Sequence, residues 1–330
     1  MRSYFGEILL IILILGTFGN ASTSSTNESG WMDLTAQIAR LFHDGSAPSD
    51  TNYFYQWGMN RIDAPEAWGV THGDPGVTIA ILDSGVDRDH PDLEGKIIAS
   101  VNFTDSDTFE DVYGHGTHVA GVAAAASDND LGITGLGFDS SLMNVKVLED
   151  DGKGYTSRLA KGVRWAVDNG AQVINLSVVV DTPSAALESA IEYAWENGAV
   201  IIAAAGNDGN SDPRYPAYYS NCIAVAATDT DDSLASFSSR GDWVDVAAPG
   251  VRVYSLSNDG GFEYKSGTSM ATPYVAGLAA LIFDMVEDTN GNGYLNDEVR
   301  AVIESSCDDL PDISYGRINA SRSVEQAQYL

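Results

Sequence analysis

Basic residues are scarce in this chain. Against 47 Asp and Glu stand 17 Lys and Arg, five of them lysine, a formal charge of −30 over 330 residues. A surface of that sign repels nucleic acid and anionic lipid, so neither is expected as a partner. The same composition suits salty surroundings, and it suits acidic secreted proteins in general. Cysteine is almost missing: Cys222 and Cys307 exclude a disulfide framework and leave at most one bridge. Neither has a His or a second Cys at metal-ligand spacing, and Cys222 lies in the apolar run "NCIAVAA", so the unpaired reading is preferred.

Long apolar runs are lacking too, with one exception. Arg2 precedes an apolar stretch from Ile8 to Phe18, and Gly19 and Ala21 follow as small residues of a cleavage site. Residues 1–21 therefore read as a secretory signal, too short for a comfortable membrane span. Glu7, ahead of the run, is atypical and keeps an uncleaved N-terminal anchor open as the alternative. The expectation is a secreted monomer with no membrane contact once the signal is removed. Residues 22–49, polar apart from the amphipathic "MDLTAQIARLF" at 32–42, read as a short leader or linker, and residues 50–330 as one domain.

Hydrophobic residues make up 44% of the chain, enough for a full core. Apolar runs alternate with helix-like segments: "VTIAILDSG" then "GTHVAGVAAAA", "LMNVKVL" then "SRLAKGVRWAVDNG", "AQVINLSVVV" then "SAALESAIEYAWENG", and "AVIIAAAGN" then "NCIAVAATD". Strands apolar on both faces and separated by helices imply a doubly wound α/β fold with a mainly parallel sheet. Ligands in such folds bind beyond the carboxyl ends of the strands. Asp83, Ser177 and Asn207 end strands here.

Three blocks carry nucleophile chemistry: "ILDSGVD" (81–87), "YGHGTHVAG" (113–121) and "GTSMATPYVAG" (267–277). Singly, Asp83 is a turn residue, His115 a loop histidine and Ser269 a helix start. Jointly they are what acyl transfer requires, because a serine hydroxyl needs an imidazole to take its proton and the imidazole needs a carboxylate to fix its tautomer. A helix beginning at Ser269 adds the positive end of its dipole, and Pro273 is expected in the first turn, where its missing N–H costs little.

With those blocks in the order Asp, His, Ser, the chain resembles the subtilisin-like serine proteases, the subtilases, in their thermitase/halolysin-like secreted branch, over about residues 50–328. The resemblance implies a serine endopeptidase acting on extended polypeptides, with Asp83 as orienter, His115 as base and acid, and Ser269 as nucleophile; His118 becomes a helix residue. "AAAGNDG" (203–209) resembles the family's oxyanion segment, making Asn207 a donor, and Ala205 and Gly206 belong to the substrate-binding wall. Ser177, Val178 and Val179 correspond to the strand that pairs with substrate backbone. Val179 and Val180 replace the two glycines usual there, which predicts poorer acceptance of bulky side chains. Arg214 is placed near the pocket rim, favouring an acidic or polar substrate side chain or standing as a solvated loop arginine. The bond before Pro216 is usually cis in this family.

The resemblance also implies a structural calcium site from Asp50, Asp92 and Asn129, with main-chain carbonyls of Ser127, Leu131 and Ile133. A second loop, "DTNGNGYLNDEV" (288–299), resembles an EF-hand type, with Asp288, Asn290, Asn292 and Gly293 in phase but Val299 at the twelfth position and Glu298 one residue early. The preferred alternative makes Asp297 the cap of the helix "EVRAVIESS". Secreted subtilases usually carry a folded prosegment, and residues 22–49 are too short for one; no accessory domain is expected after the C-terminal "SYGRINASRSVEQA". Two other readings remain: an inactive relative that binds extended peptides, for which only Val179–Val180 speaks, and a lipase-type hydrolase, disfavoured because no G-x-S-x-G elbow surrounds Ser269.

Overall fold

A computed structural model describes residues 48–329. The signal, nearly all of the leader and the segment 32–42 lie outside the described residues. Ten strands and eight α-helices make up the described chain. The strands are β1 (Thr78–Asp83), β2 (Ile97–Asn102), β3 (Ser141–Lys146), β4 (Val173–Leu176), β5 (Val200–Ala204), β6 (Cys222–Thr228), β7 (Val246–Pro249), β8 (Val253–Leu256), β9 (Phe262–Lys265) and β10 (Gly316–Arg317). The helices are α1 (Trp57–Arg61), α2 (Ala64–Trp68), α3 (His115–Ala124), α4 (Thr156–Asp168), α5 (Ala185–Glu196), α6 (Thr268–Phe283), α7 (Asn296–Ser305) and α8 (Ala320–Ala327). Strands and helices alternate from β2 to β5 and are followed by a run of strands from β5 to β9.

Eight strands form one parallel sheet in the order β10-β7-β6-β5-β4-β1-β3-β2, while β8 and β9 make a separate antiparallel hairpin. The direction of winding reverses at β1, which pairs with β3 on one side and β4 on the other. That reversal opens a crevice at the carboxyl ends of β1 and β4, where Asp83 and Ser177 stand.

Both faces of the sheet are covered, which is why the strands read as unbroken apolar runs. Ile79 and Ile81 of β1 enter the core shared with α3 and α6, while Ala80 and Leu82 enter the one shared with α4 and α5. Helix α6 is apolar all round and almost wholly buried, the pattern of a helix in the middle of a core. Gly277 lets it approach its neighbours: a Cβ there would lie 2.8 Å from the Ala123 carbonyl oxygen and the Gly137 nitrogen.

Helix α6 begins at Thr268 with Gly267 as its cap, so Pro273 lies inside the helix and not in its first turn as the sequence suggested. Its ring removes the donor that would reach the carbonyl of Ser269 four residues earlier. Ser177 Oγ, from the loop after β4, donates to that carbonyl at 2.8 Å. A second correction concerns α7: its cap is Leu295, and Asp297 does not cap the helix but turns its carboxylate to Asn290 and Asn292. Cys222 and Cys307 are both unbridged, Cys222 buried at the start of β6 with its thiol pKa raised by burial. The Tyr215–Pro216 bond is cis.

Candidate active site

Asp83 ends β1 fully buried, and the helix carrying His115 starts against the loop that follows it. Gly116 makes this approach possible, since a Cβ at that position would sit 2.0 Å from the Gly85 carbonyl oxygen. The result is a close pair. His115 Nδ1 lies 2.7 Å from Asp83 Oδ1 and 2.9 Å from Oδ2. A carboxylate can only accept, so Nδ1 carries a proton, and in the neutral ring Nε2 is the nitrogen free to act as a base. Burial opposes charge on His115, but attraction to Asp83 and the hydrogen bond outweigh it, with Asp111 adding to the attraction, and its pKa is raised above the usual histidine value. His118, three residues on, is buried, bonds the Val253 carbonyl through Nε2 at 3.1 Å, and is pushed down to about 3 by burial.

Two residues the sequence reading passed over hold this pair. The buried Asp111 accepts from the backbone N–H of Tyr113, Gly114 and Thr117 and from the hydroxyls of Ser84 and Thr117, which satisfies donors at the start of α3. An acid just ahead of a helix start was the available signal. Lys146, opposite Asp83 in the β1–β3 register, is fully buried and donates to the carbonyls of Ser84 and Glu110 and to Asp150. A lysine in the middle of "LMNVKVL" was its signal, because a buried cation needs partners.

Ser269 is the second residue of α6, so its backbone N–H has no acceptor within the helix. Its hydroxyl donates to the Ser177 carbonyl at 3.1 Å and not to His115. Asn207 supplies a second free donor. Its Oδ1 accepts from the Thr268 backbone N–H at 2.9 Å and its hydroxyl at 3.2 Å, and a backbone N–H can only donate, so Nδ2 faces outward. Thr268 was a further missed residue, since it also donates its hydroxyl to that oxygen and accepts from Gly206 N.

His115, Ser269, Asn207, Ser177 and Val178–Val180 line one open cavity of about 530 Å³. Val179 is 38% exposed in its wall, while Val180 pairs with Tyr215 through two backbone hydrogen bonds. Ala205 is buried and Gly206 takes φ +105°, and neither lines the cavity. Arg214 does stand beside Gly206, whose added Cβ would meet its Cγ at 3.1 Å. Its guanidinium is paired with Asp208 at 2.8 Å and with Asp181 at 3.7 Å, so its charge is already matched and the acid-selecting role loses its support.

The calcium candidates also meet. Asp50 and Asp92 are buried, Asn129 Nδ2 donates to Asp92 Oδ1, and the backbone N–H groups of Asp128, Asn129 and Ile133 point at the two carboxylates. Burial raises both acids, Asp92 to about 6 with Asp50 adding like-charge repulsion. No described cationic side chain pairs with either. Two buried acids with no counter-charge fit an oxygen-ligated cation. Ser127 bonds its hydroxyl to the Ala125 carbonyl, and Leu131 and Ile133 frame the same loop. Among the described residues there is no group of three or more His, Cys, Asp or Glu placed to hold a metal ion, so this site would depend on main-chain carbonyls. No helix among the described residues is long and apolar enough to cross a membrane.

The Subtilase family model matches residues 74–321. A thermophilic serine proteinase of Bacillus sp. (strain AK1) is 45% identical over 290 residues, spanning 86% of this chain and 71% of that protein. Thermitase of Thermoactinomyces vulgaris is 44% identical over 275 residues, 82% of this chain and 96% of that protein. Among solved structures, proteases from Pseudoalteromonas arctica superpose with a TM-score of 0.78 at 29% identity, covering 85% of this chain and 99% of that one.

Proposed function

Because the chain belongs to the subtilase family and is a serine-type endopeptidase, we propose that it cleaves peptide bonds through an acyl-enzyme, with Asp83, His115 and Ser269 as the triad. The observation that carries this reading is the doubly bonded Asp83–His115 pair sharing one cavity with Ser269 and the free amide of Asn207.

A substrate lies extended along Ser177–Val179, its backbone pairing with that edge, with Ala205 and Gly206 behind the pocket. Its arrival turns Ser269 Oγ from the Ser177 carbonyl to His115 Nε2. The hydroxyl oxygen attacks the scissile carbonyl carbon as Nε2 takes its proton, and Asp83 stabilises the imidazolium. The tetrahedral oxyanion is met by the Ser269 N–H at a helix start and by Asn207 Nδ2 from the loop after β5. Nε2 then protonates the leaving amine, and water activated by the same nitrogen hydrolyses the ester.

The protein works as a secreted monomer, with residues 1–21 as its signal, 22–49 as a leader and 50–330 as the peptidase domain. Calcium would be held by Asp50, Asp92 and Asn129 with carbonyls of Ser127, Leu131 and Ile133, and would supply the counter-charge that the two buried acids lack. It stabilises the fold and takes no part in bond cleavage. Hydrolysis of short chromogenic peptides by the full chain and by Ser269→Ala tests the reading. The wild type should turn over and the variant fall by several orders of magnitude; equal rates would overturn it.

A further inference from the structure

The connection between α6 and α7 winds around a carboxylate and ends at two others. Asp288 accepts the backbone N–H of Gly291 at 2.7 Å, Asn292 at 3.2 Å and Gly293 at 2.8 Å, and Gly291 and Gly293 take the left-handed φ values of +76° and +87° that this winding demands. The first turn of α7 closes the loop. Asp297 Oδ2 receives the side-chain amides of Asn290 and Asn292, and Glu298 Oε1 receives the Thr289 N–H at 3.0 Å and its hydroxyl at 2.8 Å. Val299, twelfth from Asp288, is wholly buried in the core, which is why the acids facing the loop come one and two residues earlier.

One atom of each acid is left over. Asp297 Oδ1 and Glu298 Oε2 are shielded from solvent and have no hydrogen-bond partner, and the Glu298 residue is only 6% exposed. No described lysine, arginine or histidine pairs with Asp288, Asp297 or Glu298; the nearest arginine in sequence, Arg300, is committed to Asp245 and Glu304. Leaving anionic oxygens buried without a counter-charge is costly, and a cation removes the cost. Every available ligand atom is an oxygen, which selects a hard cation that accepts carboxylate, amide and carbonyl donors.

We propose that this loop is a second calcium site, with the carboxylates of Asp297 and Glu298 and the amide oxygens of Asn290 and Asn292 as ligands and Asp288 shaping the loop around them. Asn290 Oδ1 accepts the backbone N–H of Asn292 at 2.9 Å and Asn292 Oδ1 that of Tyr294 at 2.7 Å, which leaves each amide oxygen a second lone pair for the cation once it displaces the NH2 groups from Asp297. The site clasps the start of α7 to the turn between α5 and β5. Asn296 already bonds the Trp195 carbonyl there at 3.0 Å, and Tyr294 packs so closely on Gly198 that a Cβ would lie 2.4 Å from its ring.

The test is calorimetric titration of calcium chloride into the chelator-treated full chain carrying Ser269→Ala, which prevents self-digestion. Glu298→Gln keeps the acceptor for Thr289 and removes the charge; it should weaken one binding event by about tenfold or more and leave intact the event that Asp92→Asn removes. Asn290→Asp with Asn292→Asp should tighten the same event and raise Tm only when calcium is present. The proposal is overturned if Glu298→Gln leaves affinity and stoichiometry unchanged, or if the double variant loses Tm equally with calcium and with chelator. Because Asp92→Asn reports on the other loop separately, failure of either site is distinguishable from failure of both.

Discussion

Ser177 Oγ donates to the carbonyl oxygen of Ser269 at 2.8 Å, filling the place that the proline at 273 leaves without a helical donor. The Ser269 hydroxyl returns a bond to the Ser177 carbonyl at 3.1 Å. Nucleophile and substrate-binding segment are therefore braced on each other. Ser177→Ala strands a carbonyl and should cost about 1–3 kcal/mol of stability, read as the shift in denaturant midpoint at constant slope. Pro273→Ala restores an N–H to the helix, so the double variant should lose less than the sum of the single changes. Strict additivity would contradict the brace.

Asn207 has its carbonyl end fastened by Thr268 and its amide free. Asn207→Ala should lower kcat by about 10²–10³ while KM stays near the wild-type value, a magnitude carried over from the equivalent donor of subtilisin. A loss confined to KM would mean that the amide binds substrate and not the oxyanion.

The pH dependence follows from the raised pKa of His115. The base must be neutral, so activity is absent below the folded pKa and appears as pH rises through it. Asp83→Asn removes the attraction that holds the proton and leaves burial, which disfavours the charge. The acid limb of kcat/KM should therefore move to lower pH, with kcat down by about 10⁴ because the tautomer is no longer fixed. An unmoved or upward-shifted limb would place the titrating group elsewhere.

Val179 stands in the cavity wall, 38% exposed, where a glycine would leave space. Val179→Gly should raise kcat/KM for substrates with a large apolar residue before the cleaved bond by at least about tenfold relative to an alanine substrate. An unchanged ratio, measured on a matched peptide pair, would show that the valine does not limit the pocket.

What could be read in advance was what is local. Strands β1, β3, β4, β5 and β6 were legible because each is a wholly buried apolar run, and the three blocks were legible because each keeps its chemistry within a few residues. Strand β2 was not, because it lies at the sheet edge and is only partly buried, and β10 is two residues long. The Ser177–Ser269 brace joins positions 92 apart, and neither motif hints at the other. Pro273 was misplaced for a similar reason: Gly267 starts the helix early enough that the proline falls a turn later than its sequence context implies. Arg214 read as a free cation because Asp208 is folded back to it within the same connection and Asp181 comes from the loop after β4.

The most direct measurement is the site and stoichiometry of labelling by a serine-directed phosphonylating reagent, located by mass spectrometry of the folded full chain. The account predicts one adduct per molecule on Ser269, slowed by Asp83→Asn and absent in Ser269→Ala. Folded protein that takes no label, or takes it on another serine, would contradict it.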